Sequence, residues 1–225
     1  KLHTITMYSL VVRNLKSVIA AGGLGTRLQN FRGNQSTKIL LEVDGIPMIN
    51  RQITQLCDWG CKDFIIITNP DFGDLIKKVT TEAFPRLNLK FATQDEPNGI
   101  SHALKQAEFH VDKDEKILFI LGDNFFENNP IIDLDFSQFE KGSYIFTKSV
   151  DNPEEFGVAQ MDNKGNVVSI DEKPIAPKSD LAVVGIYIFD ETVFKKINTL
   201  SPSSRGEYEI TDLCNIYVKE NTCKN

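Results

Sequence analysis

Residues 17–38 read SVIAAGGLGTRLQNFRGNQSTK, and the step from Val18-Ile19-Ala20 into Gly22-Gly23-Leu24-Gly25 decides how the rest of the chain is read. Three apolar residues run directly into a glycine turn, the form of a buried strand that ends at a loop. Gly25 lets the backbone approach a ligand that a Cβ would hold off. Successive N–H groups in such a turn make an anion-binding concavity, Arg27 adds a planar fork of donors, and Lys38 supplies a mobile point charge. The expected occupant is a polyphosphate. A Walker A loop would need Gly-Lys-Ser/Thr where Gly25 is followed by Thr26-Arg27, and a dinucleotide fingerprint would need a small residue at Leu28. On these residues alone, a plain glycine turn of an α/β domain without a ligand stays open.

The chain around this stretch has 225 residues, 41% hydrophobic and 25% charged, enough for one substantial core and unlike a membrane or disordered chain. A net charge of −6 and a pI near 5.2 argue against a nucleic-acid binder, so positive charge for a polyanion must be local. Cys57, Cys61, Cys214 and Cys223 lack zinc-type spacing. Cys57 and Cys61, four apart on an expected helix, suit packing better than a disulfide, and free thiols in a cytoplasmic protein are expected. The apolar patch Tyr8 to Val12 is too short for a membrane span. Residues 1–16 read as a loosely attached leader, and residues 17–225 as one domain.

After the glycine loop, Met48, Ile49, Ile53 and Leu56 have helical spacing with Pro47 at the first turn, and Gly60 ends the helix. Apolar runs at Phe64–Ile67, Leu87–Ala92 and Lys116–Leu121 read as strands, separated by helices over about 74–80 and 98–110. Strands buried on both faces and alternating with helices predict a mostly parallel sheet, with ligands at the carboxyl ends of its strands. Beyond Phe136 the pattern shifts to closer strands over 143–150, 157–161, 167–171 and 182–189, with a hairpin signal at Asn163-Lys164-Gly165. These predict an antiparallel addition to the same sheet, and Gly206-Glu207 is expected to open a last helix reaching about Lys219.

Gly22 to Leu28, Lys38, Leu40-Leu41 and Pro47-Met48-Ile49 together resemble the signature of the sugar-1-phosphate nucleotidyltransferases, with Thr37, Glu42 and Ile46 departing from common family residues. The resemblance runs in blocks from about Ser17 to Tyr217, and is strongest to the glucose-1-phosphate thymidylyltransferase branch. It implies a Rossmann-like three-layer α/β fold with a mixed, mostly parallel central sheet and an antiparallel sugar-binding addition.

By that resemblance Arg27 and Lys38 are catalytic, and Ala21, Gly22, Gly23, Gly25 and Thr26 hold the nucleotide. In QDEPNGISHA, Gln94, Pro97 and Gly99 would meet a pyrimidine base, the amide of Gln94 being able both to donate and to accept. In LGDNF, Asp123 would bind Mg2+ and nucleotide, and Asn124 the sugar phosphate. Gly157, Glu172, Lys173 and Val183 would line the hexose and its phosphate, and Arg205, within RGEYEITD, would sit on a phosphate. On the residues alone, Gln94 also reads as a loop residue capping a helix, Asp123-Asn124 as an Asx turn, Glu172-Lys173 as a solvated pair, and Arg205 as a helix flank.

The implied reaction is attack of a sugar 1-phosphate on the α-phosphorus of a pyrimidine nucleoside triphosphate, with loss of pyrophosphate. The favoured substrates are dTTP and glucose 1-phosphate. The absence of a Ser-His-Asp or Cys-His arrangement suits this chemistry, because a phosphate monoester is already ionised near neutral pH. The family's second metal aspartate lies in a Trp-x-Asp-x-Gly-Thr segment that these residues do not contain, so the domain is expected to lack its C-terminal end. Expected partners are the two substrates and further copies of the chain, with no nucleic acid and no membrane. The alternatives are a UTP-using uridylyltransferase and a non-catalytic nucleotide-sugar-binding subunit.

Overall fold

The computed structural model describes residues 15–23, 37–136 and 139–225. Its centre is a run of parallel strands. β1 (Leu15–Ala20) lies between β4 (Asp63–Thr68) and β6 (Lys116–Leu121), and β5 (Asn88–Thr93) extends the sheet beyond β4. Val18, Ile65 and Phe119 point to one face while Ile19, Ile66 and Ile120 point to the other, and all six are fully buried. Uninterrupted apolar runs form strands here because both faces are covered.

On one face pack α1 (Met48–Asp58) and α2 (Gly73–Ala83), through Ile49, Ile53, Leu56 and Ile76. The other face is covered by α3 (Ile100–Lys105), α4 (Val193–Ile197) and α5 (Ile210–Lys219), through Leu104, Val193, Leu213 and Tyr217. The result is a three-layer α/β sandwich with a mixed central sheet. A small hairpin, β2 (Glu42–Val43) and β3 (Ile46–Pro47), turns at Asp44-Gly45, where both residues have positive φ.

The later strands join the same sheet. β10 (Leu181–Phe189) runs antiparallel between β6 and β7 (Ser143–Ser149), and β11 (Cys223–Lys224) adds parallel to β7. β8 (Gly157–Met161) and β9 (Val167–Glu172) form a hairpin attached to β10 through Ala182 and Val158. Among the described residues nine strands thus share one sheet, as the antiparallel addition required.

Several boundaries differ from the sequence reading. β1 starts at Leu15, two residues inside the expected leader, because Lys16 is buried and its ammonium pairs with Glu115 at 3.1 Å. The expected helix over 98–110 is only α3. After Lys105 the amides reach three residues back, Gln106 to Ala103 and Ala107 to Leu104, and the chain tightens into a 3-10 turn at Glu108–His110. The last helix begins at Ile210, not at Gly206. Gly206 has φ +77 and closes a turn with Ser203, and Tyr208 lies ahead of the helix, donating its N–H to Asn98 and accepting from Ser101. Cys61 lies past the end of α1, so it is not on one helix with Cys57, and all four cysteines are free thiols.

Candidate active site

β1 sends the chain towards β4 on one side, while β6 lies on its other side, so the crevice at their carboxyl ends is a topological switch point. A cleft of about 570 Å³ opens there. Its floor is Ala20 to Gly23 after β1 and Leu121 to Asp123 after β6, and its far wall is Gln94, Pro97, Gly99 and Ile100. The sequence-predicted residues Ala21, Gly22, Gly23, Lys38, Gln94, Pro97, Gly99 and Asp123 are therefore brought together. Gly25, Thr26 and Arg27 lie outside the described residues.

Close backbone approach sets the floor. A Cβ on Gly22 would stand 3.1 Å from the Thr68 carbonyl oxygen, and one on Gly122 would stand 2.7 Å from that of Ala20. The Ala21 amide donates to Ile67, and the Gly22 carbonyl accepts from Asn69 Nδ2 at 2.9 Å, so the first glycines are held against β4. Buried Thr37 donates its hydroxyl to Gly23, linking that turn to Lys38.

At the cleft, Lys38 Nζ lies 2.8 Å from Asp123 Oδ2. Both side chains are about a third or more exposed (34% and 41%), so the pair contributes little stability, under about 1 kcal/mol, and is readily exchanged for other partners. Asn124 Nδ2 donates to Asp123 Oδ1 at 2.9 Å and packs over Gly185, where a Cβ would be 2.8 Å away. Gln52, fully buried on α1, donates Nε2 to the carbonyls of Leu121 and Asn124 and so pins the turn that carries Asp123 from both sides. Gln55, three residues on, donates to Phe126. The signal for both was present in the sequence as polar residues on the apolar stripe of an amphipathic helix.

The far wall carries an amide and a peptide edge. Gln94 Nε2 donates to the Gly99 carbonyl at 3.1 Å and sits 3.1 Å from His102 Nδ1, which leaves Oε1 without a donor among the described residues. Gly99 has φ +103 and no room for a Cβ, which would lie 2.7 Å from the Tyr208 backbone. Its own N–H has no backbone partner among the described residues.

The expected sugar residues form a second cluster. Gly157, Glu172 and Thr211 meet where β8, β9 and α5 converge. The Thr211 hydroxyl donates to Glu172 Oε2 at 2.5 Å, and a Cβ on Gly157 would stand 2.9 Å from that hydroxyl. Lys173 is exposed in a left-handed conformation, φ +44, an uncommon backbone state for a side-chain-bearing residue. Val183 pairs with Thr147 in the β10–β7 ladder.

Arg205 is tied to carboxylates at the edge of this cluster: its guanidinium forks onto Glu209 at 2.8–3.1 Å and reaches Glu172 at 3.4 Å and Glu207 at 3.5 Å. Hydrogen bonds to Glu209 hold the Arg205 pKa above its ordinary value. Burial alone would raise the Glu209 pKa, but hydrogen bonds from Arg205 and Ser203 outweigh it and hold the carboxyl below its usual range. Glu207, not singled out in the sequence, lines the cleft as well and, through its contact with Arg205, joins the two clusters.

Among the described residues no three His, Cys, Asp or Glu side chains gather to hold a metal. Asp123 stands as one accessible carboxylate at a strand end, which fits an ion of the magnesium type, held by one or two carboxylates and substrate phosphates. It does not fit a zinc site, which takes three or four protein ligands.

A profile of the nucleotidyl transferase family matches residues 16–224. A glucose-1-phosphate thymidylyltransferase of Mycobacterium tuberculosis is 35% identical over 209 residues, covering 92% of this chain and 72% of the relative. A Bacillus anthracis protein described as a glucose-1-phosphate thymidylyltransferase, crystallised with sucrose, superposes with a TM-score of 0.83 at 37% identity, over 93% of this chain and 85% of that one. A UDP-glucose pyrophosphorylase solved with UDP-glucose, at 22% identity, shares the fold with a TM-score of 0.76 over 91% of this chain and 87% of that one. No helix among the described residues is long and apolar enough to cross a membrane.

Proposed function

This chain belongs to the nucleotidyl transferase family, and from that premise we propose that it transfers a thymidylyl group from dTTP to glucose 1-phosphate, releasing pyrophosphate and forming dTDP-glucose. The observation that carries the reading is the position of Lys38 and Asp123, a cation and a carboxylate 2.8 Å apart at the switch-point cleft. Glycine backbone and the Gln94–Gly99 edge line the same cleft.

Both reacting groups are anionic. Two unit charges 4 Å apart repel by about 4 kcal/mol at an effective dielectric of 20, so the site must offset that before the phosphate oxygen can attack. Lys38 leaves Asp123 for the triphosphate, and the turn at Gly22-Gly23 takes phosphate oxygens on its amides. Asp123 would hold Mg2+, whose chemistry there is to neutralise phosphate charge and orient the leaving pyrophosphate. Arg27 adds a second cationic donor. No general base is needed, because the attacking oxygen is already ionised.

Gln94 Oε1 and the Gly99 N–H offer one acceptor and one donor, the complement of a pyrimidine imide and its neighbouring carbonyl. That edge is common to thymine and uracil, so the preference for dTTP over UTP rests on the likeness to thymidylyltransferases. In the second cluster Glu172 accepts from hexose hydroxyls, the backbone at Gly157 and Val183 lines the ring, and Asn124 and Lys173 contact the sugar phosphate. Arg205 joins them after releasing part of its carboxylate contacts. Exposed Val43 and Ile46 on the β2–β3 hairpin suit contact with a further copy, and four free thiols suit the cytoplasm.

Pyrophosphate release with glucose 1-phosphate and Mg2+, measured separately with dTTP, UTP, CTP, ATP and GTP, tests the reading. Release fastest with dTTP is expected. Release fastest with a purine triphosphate would overturn it.

A further inference from the structure

We propose that His102 is the positioning residue that fixes which end of the Gln94 amide faces the base, and thereby makes the cleft selective for an imide-bearing pyrimidine over cytosine. This rests on the nucleotide reading of the cleft and goes beyond it, because Gln94 can read an imide only if its oxygen is presented. An unrestrained amide presents oxygen or nitrogen with nearly equal ease.

Two acceptors remove that freedom. The Gly99 carbonyl, which also accepts from Ala103 N–H, lies 3.1 Å from Gln94 Nε2, and His102 Nδ1 lies 3.1 Å from the same nitrogen. A carbonyl oxygen can only accept, so the group facing it must be the NH2. With Nδ1 as the accepting nitrogen of the His102 ring, the second N–H is taken up there, and the Gln94 oxygen is the uncommitted atom of a residue that lines the cleft.

The ring is itself held in place. It stacks on Tyr208 with centroids 6.2 Å apart and planes 29° apart, and Tyr208 is fixed by backbone bonds to Asn98 and Ser101. On its far side Gln106 Nε2 donates to the His102 carbonyl at 3.0 Å and lies 3.3 Å from ring Nε2, so an amide nitrogen faces each ring nitrogen and the tautomer decides which of the two the ring accepts from. The oxygen so presented accepts from the N3–H of thymine or uracil. Cytosine offers a bare N3 acceptor at that position, and two acceptors face each other.

The test is calorimetric binding of dTTP, UTP and CTP to the wild-type chain, His102→Leu and His102→Asn, with nitrogen NMR of the His102 ring in the free protein. Asn can place an oxygen near the position of Nδ1 and keep the acceptor; Leu removes it. The wild type is expected to prefer dTTP and UTP to CTP. His102→Leu should lose about three- to tenfold of that preference while keeping its melting temperature near the wild type, and His102→Asn should retain most of it. The NMR signature expected is an unprotonated Nδ1 and a protonated Nε2. Undiminished preference in a folded His102→Leu, or a protonated Nδ1 in the neutral ring, would overturn the role of His102 and leave the nucleotide reading standing. Failure of the wild type to bind any of the three would overturn the nucleotide reading and this role with it.

Discussion

Lys38 and Glu209 show how differently two charged residues are used in this chain. Lys38 is about a third exposed on an exchangeable partner, so Lys38→Ala should lower turnover about a hundredfold by removing charge stabilisation from the transition state, with little change in melting temperature. Steady-state kinetics beside thermal melting checks both halves; an unchanged rate would remove Lys38 from the chemistry. Glu209 is 5% exposed and held by Arg205 and Ser203, and its folded-state pKa lies below the ordinary value of 4.5. A depressed carboxyl pKa gives stability that is present above 4.5 and is lost as pH falls through the lower folded value. Glu209→Gln should therefore flatten the acid limb of a stability–pH profile measured by urea unfolding, and a limb as steep as the wild type's would contradict this. Of these residues, Lys38 and Asp123 were legible in the sequence because they fall in local motifs. The ties of Arg205 to Glu172 and of His102 to Gln94 were not, since side-chain partners across a fold leave no spacing to read.

At the scale of elements, β4 to β10 were read nearly to the residue, because runs such as Ile65-Ile66-Ile67 are buried on both faces and have no competing pattern, whereas β1 was read three residues short and the two-residue strands β2, β3 and β11 were not read. Helix ends were read less well. Residues 98–110 carry helical spacing, but the backbone bonds shorten after Lys105. Residues 206–209 were given to a helix although Tyr208 is drawn into backbone hydrogen bonds with Asn98 and Ser101. Both misreadings come from tertiary contacts that override local preference. The polar residues of α1 carry the most testable element-level consequence. Gln52→Leu would leave the Leu121 and Asn124 carbonyls without a donor, at a cost of about 2 kcal/mol, and would loosen the turn under Asp123. Amide exchange at Gly122 to Asn124 should quicken in that variant while β4 stays protected. Unaltered exchange there would show that Gln52 does not hold the turn.

For the whole molecule, the pairing of β10 with β6 joins the parallel part of the sheet to the antiparallel part, and α5 packs against β9 while sharing a core with β1 and β4. Residues 15–225 are accordingly expected to unfold in one cooperative calorimetric transition, and two separated transitions would contradict a single unit. The net charge of −6 makes the same point electrostatically: affinity for polyanions must come from the glycine turn and a few placed cations, not from the surface at large. The central claim is that nucleotide and sugar occupy adjoining sites along one sheet edge. Hydrogen–deuterium exchange with and without dTDP-glucose and Mg2+ tests it most directly. The account predicts added protection at residues 20–23, 94–100, 121–124 and 157–173 together; protection confined to other segments, or none at saturating ligand, would contradict it.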